Sequence, residues 1–347
     1  MCFKLEHFFV CGVLFFYCGM LHAEPGAFDA VSEEVNKVFQ ATAPSVVKVR
    51  SVNAVEPLAG TGFFIDAKGT ILTSSAIIGE DYKVVVEYQG KKVDALVLSR
   101  DPRSGVALLR IEAESTPFLG LGNSDELKVA SQIVSVAHPY NLPASPSLGM
   151  VTGFDVQYLD RFFATTHIRA NLNVSPGQIG GPLLNAQGKV VGMLIMAIDD
   201  GKFCYALPSN AAGKVIKDMS EYGMARHGWV GVGVVQDTSG KGNIVKVSTL
   251  FDGTPAKNSG IESGDRVLKI GNREIHQPSD ILDAAFFSKI GEKLPVLVER
   301  NGKTKVYHIE VRERPAQSKP VQPIPATPVD IPSKRDEPIR IKAGNVP

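Results

Sequence analysis

From residue 45 to about residue 208 the chain is a succession of short β-branched runs, broken by Gly, Asp or Asn. The runs fall at 45–52, 62–65, 70–73, 83–88, 93–99, 106–111, 133–136, 149–156, 168–171 and 190–196. Each is of strand length, and regular turn signals between many short strands predict an all-β barrel or sandwich. A break near 123–130 divides the stretch into two small barrels. The whole chain has 347 residues, enough for two or three domains. With 44% hydrophobic and 21% charged residues it can build large cores. A formal net charge of +1 gives no electrostatic ground for a nucleic acid or an anionic lipid surface as partner.

On either side of this β region the pattern changes. Residues 24–43 place Phe28, Val31, Val35 and Phe39 at helical spacing before Pro44, which predicts a short amphipathic helix. A second helix is predicted over 211–222. A separate unit begins near Arg226, with strands at 229–235, 244–248 and 266–270, a helix over 279–290 capped by Ser279, and strands at 293–300 and 304–311. From 315 to 347 Pro, Lys, Ser and Ala dominate without aromatics, the composition of a disordered tail. At the other end Lys4 precedes an apolar run over 8–20 that is short for a membrane span, and Ala23 offers a small residue. Residues 1–23 therefore read as a signal peptide cleaved after Ala23, with an uncleaved anchor as the alternative. Cys2, Cys11 and Cys18 leave with it, and Cys204 alone cannot form an intrachain disulfide. The expected order is signal peptide 1–23, N-terminal helical segment 24–43, double barrel 44–215, linker helix 216–225, second domain 226–314 and tail 315–347.

The stretch Ser175-Pro176-Gly177-Gln178-Ile179-Gly180-Gly181-Pro182 is the most informative for function. Glycines there let backbone N–H groups converge where a negatively charged oxygen would form. The frame resembles the nucleophile loop of the HtrA family of trypsin-like serine proteases, with Gln178 for Asn and Ile179 at the serine. Gly60-Thr61-Gly62 through Ile78 resembles that family's histidine segment, with Ala76 at the histidine. Asp101-Pro102-Arg103-Ser104-Gly105 resembles its aspartate segment, with Gly105 at the aspartate, and Ala206-Leu207-Pro208-Ser209-Asn210 resembles its closing segment. Gly228-Trp229-Val230-Gly231-Val232, followed by Gly253 to Ile261 and Gly264-Asp265, resembles a PDZ domain of the same type.

The resemblance implies a mainly β protein: two six-stranded-type β-barrels of the trypsin-like (chymotrypsin) fold, then an α+β PDZ domain. Acyl transfer needs a nucleophile, a base and an orienting carboxylate, and Ile179, Ala76 and Gly105 supply none of these. The expectation is therefore a chain that is not an enzyme, with Gly177, Gln178 and Ile179 as the remnant of the oxyanion loop. Ile179 is expected to lie toward Ala76. The rival expectation is a serine endopeptidase with a relocated site, for which Ser175 and His138 offer a nucleophile and base without a carboxylate. No Cys/His or Glu/His spacing resembles a metal site, and no cofactor is implied.

The PDZ resemblance implies that the last residues of a peptide add to an edge strand while backbone N–H groups hold its carboxylate. Trp229, Val230, Gly231 and Val232 would form that loop and edge, with Leu282 and Phe286 lining the side-chain pocket. The implied partners are peptides, unfolded chains or C-termini of envelope proteins. The implied location is periplasmic or secreted, and the implied role that of scaffold, chaperone or regulator. Assembly as a homotrimer, or with an active HtrA relative, would involve residues 28–39.

Overall fold

The computed structural model describes residues 26–52, 57–79, 83–158, 161–237 and 244–314. The expected signal peptide and Pro-rich tail lie outside the described residues. Helix α1 (Ala27–Thr42) confirms the N-terminal amphipathic pattern: Val38 is buried and Val35 and Phe39 pack on the core, while Phe28 is 90% exposed. Among the described residues no helix is long and apolar enough to cross a membrane.

Two closed barrels follow. The first is formed by β1 (Val46–Val52), β2 (Pro57–Phe64), β3 (Thr70–Ser74), β4 (Val84–Tyr88), β5 (Lys91–Asp101) and β6 (Val106–Arg110). Its strands close in the order β1-β2-β3-β6-β5-β4 around Val47, Val49, Phe64, Ile71, Val86 and Leu109. The second is formed by β7 (Gln132–Ala137), β8 (Ser145–Tyr158), β9 (Arg161–Ala170), β10 (Pro182–Leu184), β11 (Val190–Ile198) and β12 (Phe203–Pro208), closing as β10-β11-β12-β9-β8-β7. Its core holds Ile133, Ile168, Leu172, Leu183 and Cys204, whose thiol is fully buried and pushed up by that burial to about 12. Closure removes the exposed edges that an open sheet would present. The short β-branched runs and turn signals of the sequence thus give the right class. The hairpin of β8 and β9 is longer than its two apolar runs suggest, because one face of each strand carries polar residues.

Helix α2 (Ser209–Tyr222) ends on Gly223 in the left-handed region (φ 77°) and packs Ala211, Ala212, Val215 and Met219 against the barrels. The next unit contains β13 (Gly228–Trp229), β14 (Val232–Asp237), β15 (Ile244–Leu250), β16 (Arg266–Ile270), β17 (Arg273–Glu274), helix α3 (Pro278–Phe287), β18 (Lys293–Arg300), β19 (Lys303–Glu310) and β20 (Arg312–Glu313). Its main sheet runs β14-β15-β16-β18-β19, so β14 is an edge. The N-cap of α3 is Gln277 rather than Ser279, with Asp280 accepting from the Gln277 and His276 N–H groups.

This last unit is fastened to the barrels by side chains far apart in sequence. Asp283 on α3 accepts from Thr165 Oγ1 (2.6 Å), Thr166 N–H (2.8 Å) and Thr166 Oγ1 (2.8 Å) on β9. His227 Nε2 lies 2.8 Å from Asp101 Oδ2 at the end of β5, where the Ser104 hydroxyl and N–H also donate. Burial opposes the charge of Asp101, but the His227 and Ser104 contacts outweigh it and hold the carboxyl below the ordinary range. Phe286, 2% exposed, enters the core cluster that contains Val106, Leu108, Ala211 and Val215.

Candidate functional sites

The first candidate site is the loop from Ser175 to Pro182, between the two barrels. Gly177 (φ 93°) and Gly180 (φ 88°) both sit in the left-handed region. Every carbonyl from Pro176 to Ile179 is occupied: Pro176 O accepts from Tyr140 N–H (2.7 Å), Gly177 O from Thr61 Oγ1 (2.7 Å), Gln178 O from Gly181 N–H (3.0 Å) and Ile179 O from Thr61 N–H (2.8 Å). In a trans peptide unit the N–H points opposite to the carbonyl. Pinning Pro176 O and Gln178 O therefore turns the N–H groups of Gly177 and Ile179 the other way. Neither of these donates a hydrogen bond among the described residues. The loop thus keeps two unengaged amides of the kind that stabilise a developing oxyanion.

The residues expected at the triad positions surround this loop. Ala76 is exposed in a turn just after β3, its N–H held by Ser74 Oγ (3.2 Å). Gly105 (φ 78°) accepts from Ser75 N–H (2.9 Å), which ties the two segments together. A Cβ at 105 would lie 3.3 Å from Ile195 Cγ2. An L-residue is strained in this backbone conformation, and its side chain would meet an isoleucine. Ile179 is half-buried and packs against the cores of both barrels. Ala76 is open to solvent.

Ser175 and His138 lie on adjoining segments but share no hydrogen bond among the described residues. Ser175 N–H goes to Gln178 Oε1 (2.6 Å), and His138 Nδ1 is 3.0 Å from Leu142 O. A carbonyl only accepts, so Nδ1 carries the proton and Nε2 is the basic atom. Burial pushes the His138 pKa down, so the ring is neutral at pH 7. Its Nε2 is buried and unpartnered.

The fit of the loop yields a prediction. At Gly180 an added Cβ would sit 2.2 Å from Thr61 O and 2.6 Å from Thr73 Oγ1. Gly180→Ala should lower stability by about 2–3 kcal/mol, from backbone strain plus displacement of the loop. Denaturant titration checks this; a change below about 0.5 kcal/mol, the range of an ordinary surface substitution, would show that the loop is not held tightly.

The second candidate site is the edge of β14. Val230 O accepts from Ala256 N–H (3.1 Å) and Gly231 O from Thr254 Oγ1 (3.1 Å). Gly231 (φ 73°) has no room for a Cβ, which would fall 2.3 Å from Thr254 Cβ. With Val230 O pinned, the Gly231 N–H faces away from the 254–256 turn. Val230 is buried, and Trp229, Val232 and Leu282 are half-buried. Phe286 is not part of this groove. It faces the barrels, with Lys214 Nζ 4.8 Å from its ring and the His227 ring 6.0 Å away, so its expected role in a peptide pocket is withdrawn. One stripe of α3 serves the barrel contact, and only Leu282 of the expected pair remains available.

Comparison with known proteins finds a family match for each of the two regions that hold these sites. Residues 60–193 match the trypsin-like peptidase domain and residues 228–311 the PDZ domain. The chain thus joins a trypsin-like peptidase domain to a PDZ domain. Relatives of this chain include a probable periplasmic serine endoprotease DegP-like of Chlamydia trachomatis serovar D, 27% identical over 272 residues (74% of this chain and 54% of the relative). A protein of the same description from Ectopseudomonas mendocina is 29% identical over 273 residues, 74% of this chain and 57% of the relative. The chain thus spans little more than half the length of these relatives. Among solved structures, the HtrA-type protease AlgW with tripeptide superposes with a TM-score of 0.70 at 23% identity, covering 81% of this chain and 98% of that one. At that identity the likeness shows the fold. The expectation that the chain is not an enzyme is overturned here: its relatives are named serine endoproteases, and they point to a protease.

Proposed function

We propose that this HtrA-type chain binds polypeptide C-termini in its PDZ groove and extended segments in the barrel cleft, in the periplasm. The observation that carries the reading is the edge of β14, open among the described residues, which begins one residue after Gly231, whose N–H is unengaged among those residues. A strand edge supplies main-chain pairing, and a backbone donor at its start suits a terminal carboxylate. The solved structure of the HtrA-type protease AlgW with a tripeptide supports a peptide as the class of ligand. Titration with a hydrophobic peptide acid and with its C-terminal amide tests it. The amide should bind at least tenfold more weakly, and equal affinity would overturn the reading.

Peptide-bond hydrolysis is the second reading, favoured by the names of the relatives. Ile179 carries no nucleophilic atom and Ala76 no proton acceptor. Hydrolysis by this chain therefore runs through other groups, aided by the amides of Gly177 and Ile179. Digestion of an unfolded protein by the wild type, by Ser175→Ala and by His138→Ala tests it. Cleavage lost in either variant would identify the relocated group, and the absence of any product with the wild type would remove this reading.

Assembly with a second copy or with an active relative belongs to the same proposal. A groove of about 370 Å³ between α1 and β8, lined by Val31, Val35, Phe39, Pro146 and Leu148, lies open near the protruding Phe28.

A further inference from the structure

We infer that the Thr61 hydroxyl is the positioning group that holds the 175–182 loop with its amides turned into the cleft. Thr61 lies on β2 and is fully buried. Its hydroxyl donates to Gly177 O (2.7 Å) and accepts from His138 N–H (3.0 Å), and its own N–H donates to Ile179 O (2.8 Å). Thr73 Oγ1 in turn donates to Thr61 O (2.7 Å). One residue of the first barrel thus grips the loop on both sides of Gln178, and its hydroxyl joins the loop to the 137–140 segment of the second barrel.

The hydroxyl matters because of where the glycines are. Gly177 sits in the left-handed region, and a glycine passes between left- and right-handed conformations with little penalty. The peptide unit between Gly177 and Gln178 is held at one end by Gln178 N–H to Ser175 O, at 3.2 Å, and at the other by the Thr61 hydroxyl at 2.7 Å. Without the hydroxyl the longer bond alone restrains it. A rotated unit would carry Gly177 O away from β2 and alter the direction of the neighbouring amide. Loss of the Thr61 hydroxyl would also leave His138 N–H buried without its acceptor. The consequence for ligands rests on the cleft reading proposed above, whereas the position of the loop does not.

Amide NMR of the full chain tests this with Thr61→Val, which keeps the shape and loses the hydroxyl, and Thr61→Ser, which keeps it. The wild type and Thr61→Ser should give single signals for Gly177 to Gly180 and slow exchange at His138 N–H. In Thr61→Val those signals should double or broaden, and exchange at His138 should rise at least tenfold. A single, unshifted set with unchanged His138 protection in Thr61→Val would overturn the inference. Should that variant not fold, the wild type decides: His138 N–H exchanging as fast as exposed turn amides would overturn the inference, and protection comparable to the barrel core would uphold it. A hydrophobic tripeptide acid added to the same samples separates the two proposals. Shifts at Gly177 and Ile179 in the wild type and Thr61→Ser, absent in Thr61→Val, support both. No shift in any protein removes the cleft reading, while the exchange data still decide the role of Thr61.

Discussion

Replacing Phe286 by alanine should lower stability by about 3–5 kcal/mol, the range for deleting a buried aromatic ring. It should also divide thermal unfolding into two transitions. Phe286 belongs by sequence to the PDZ helix, yet its ring is buried in the cluster formed by the barrels and α2. It makes an edge contact with Phe287 (5.1 Å between ring centroids) and lies under the Lys214 ammonium. Removing the ring leaves a cavity at the junction, while the PDZ core around Val245, Val267, Val296 and Val298 is untouched. The polar fastenings at Asp283 and Asp101 would remain, but they are spread along the surface of the contact and cannot refill that volume. Calorimetry would show a PDZ transition separating from that of the barrels. One unshifted transition would mean that the ring is not the anchor. Phe286→Leu, which keeps most of the bulk, should lose far less.

The second large effect is a pH dependence centred on His167. This side chain on β9 is 1% exposed, stacks on Phe163 with ring centroids 4.2 Å apart, and has its Nδ1 2.7 Å from Thr165 O. Burial pushes its pKa from 6.5 to about 4, against the opposing Thr165 carbonyl. The sign follows from proton counting. Between pH 6.5 and 4 the unfolded chain binds a proton that the native state refuses, so stability falls as pH falls through that window. At 1.36 kcal/mol per pH unit the loss amounts to about 3 kcal/mol. His138, also depressed by burial, acts in the same direction. Asp101 acts lower: its contribution is complete above pH 3.8 and is lost as pH falls toward its depressed native value. Denaturation of wild type and His167→Phe at pH 7, 6, 5 and 4 isolates the histidine. The difference between the two curves should grow as pH decreases, and parallel curves would refute the assignment.

Much of the architecture is legible in the sequence because strands and turns have local signatures. β-Branched runs mark β1, β4 and β11, and the glycine frame at 177–181 marks the loop between the barrels. What the sequence does not display is which side chains meet across more than a hundred positions. Thr61 with Gly177, His227 with Asp101, and Asp283 with Thr165 and Thr166 are separated by 116 residues or more. No periodicity announces such contacts. The assignment of Phe286 went astray for the same reason: helical spacing puts Leu282 and Phe286 on one side of α3, but only tertiary packing decides which stripe faces a groove and which a neighbouring domain. Ile195 was likewise invisible, since its proximity to Gly105 depends on how two barrels are set side by side.

The buried thiol in the second barrel has a consequence for the compartment proposed here. Cys204 is fully enclosed and, with its pKa near 12, carries almost no thiolate at neutral pH. An oxidising surrounding has no purchase on it while the barrel stays closed, so the folded domain is indifferent to the thiol–disulfide machinery around it. Oxidants and alkylating reagents reach the sulfur only when β9, β11 and β12 part, and the rate of its modification is therefore a clock for the opening of that barrel.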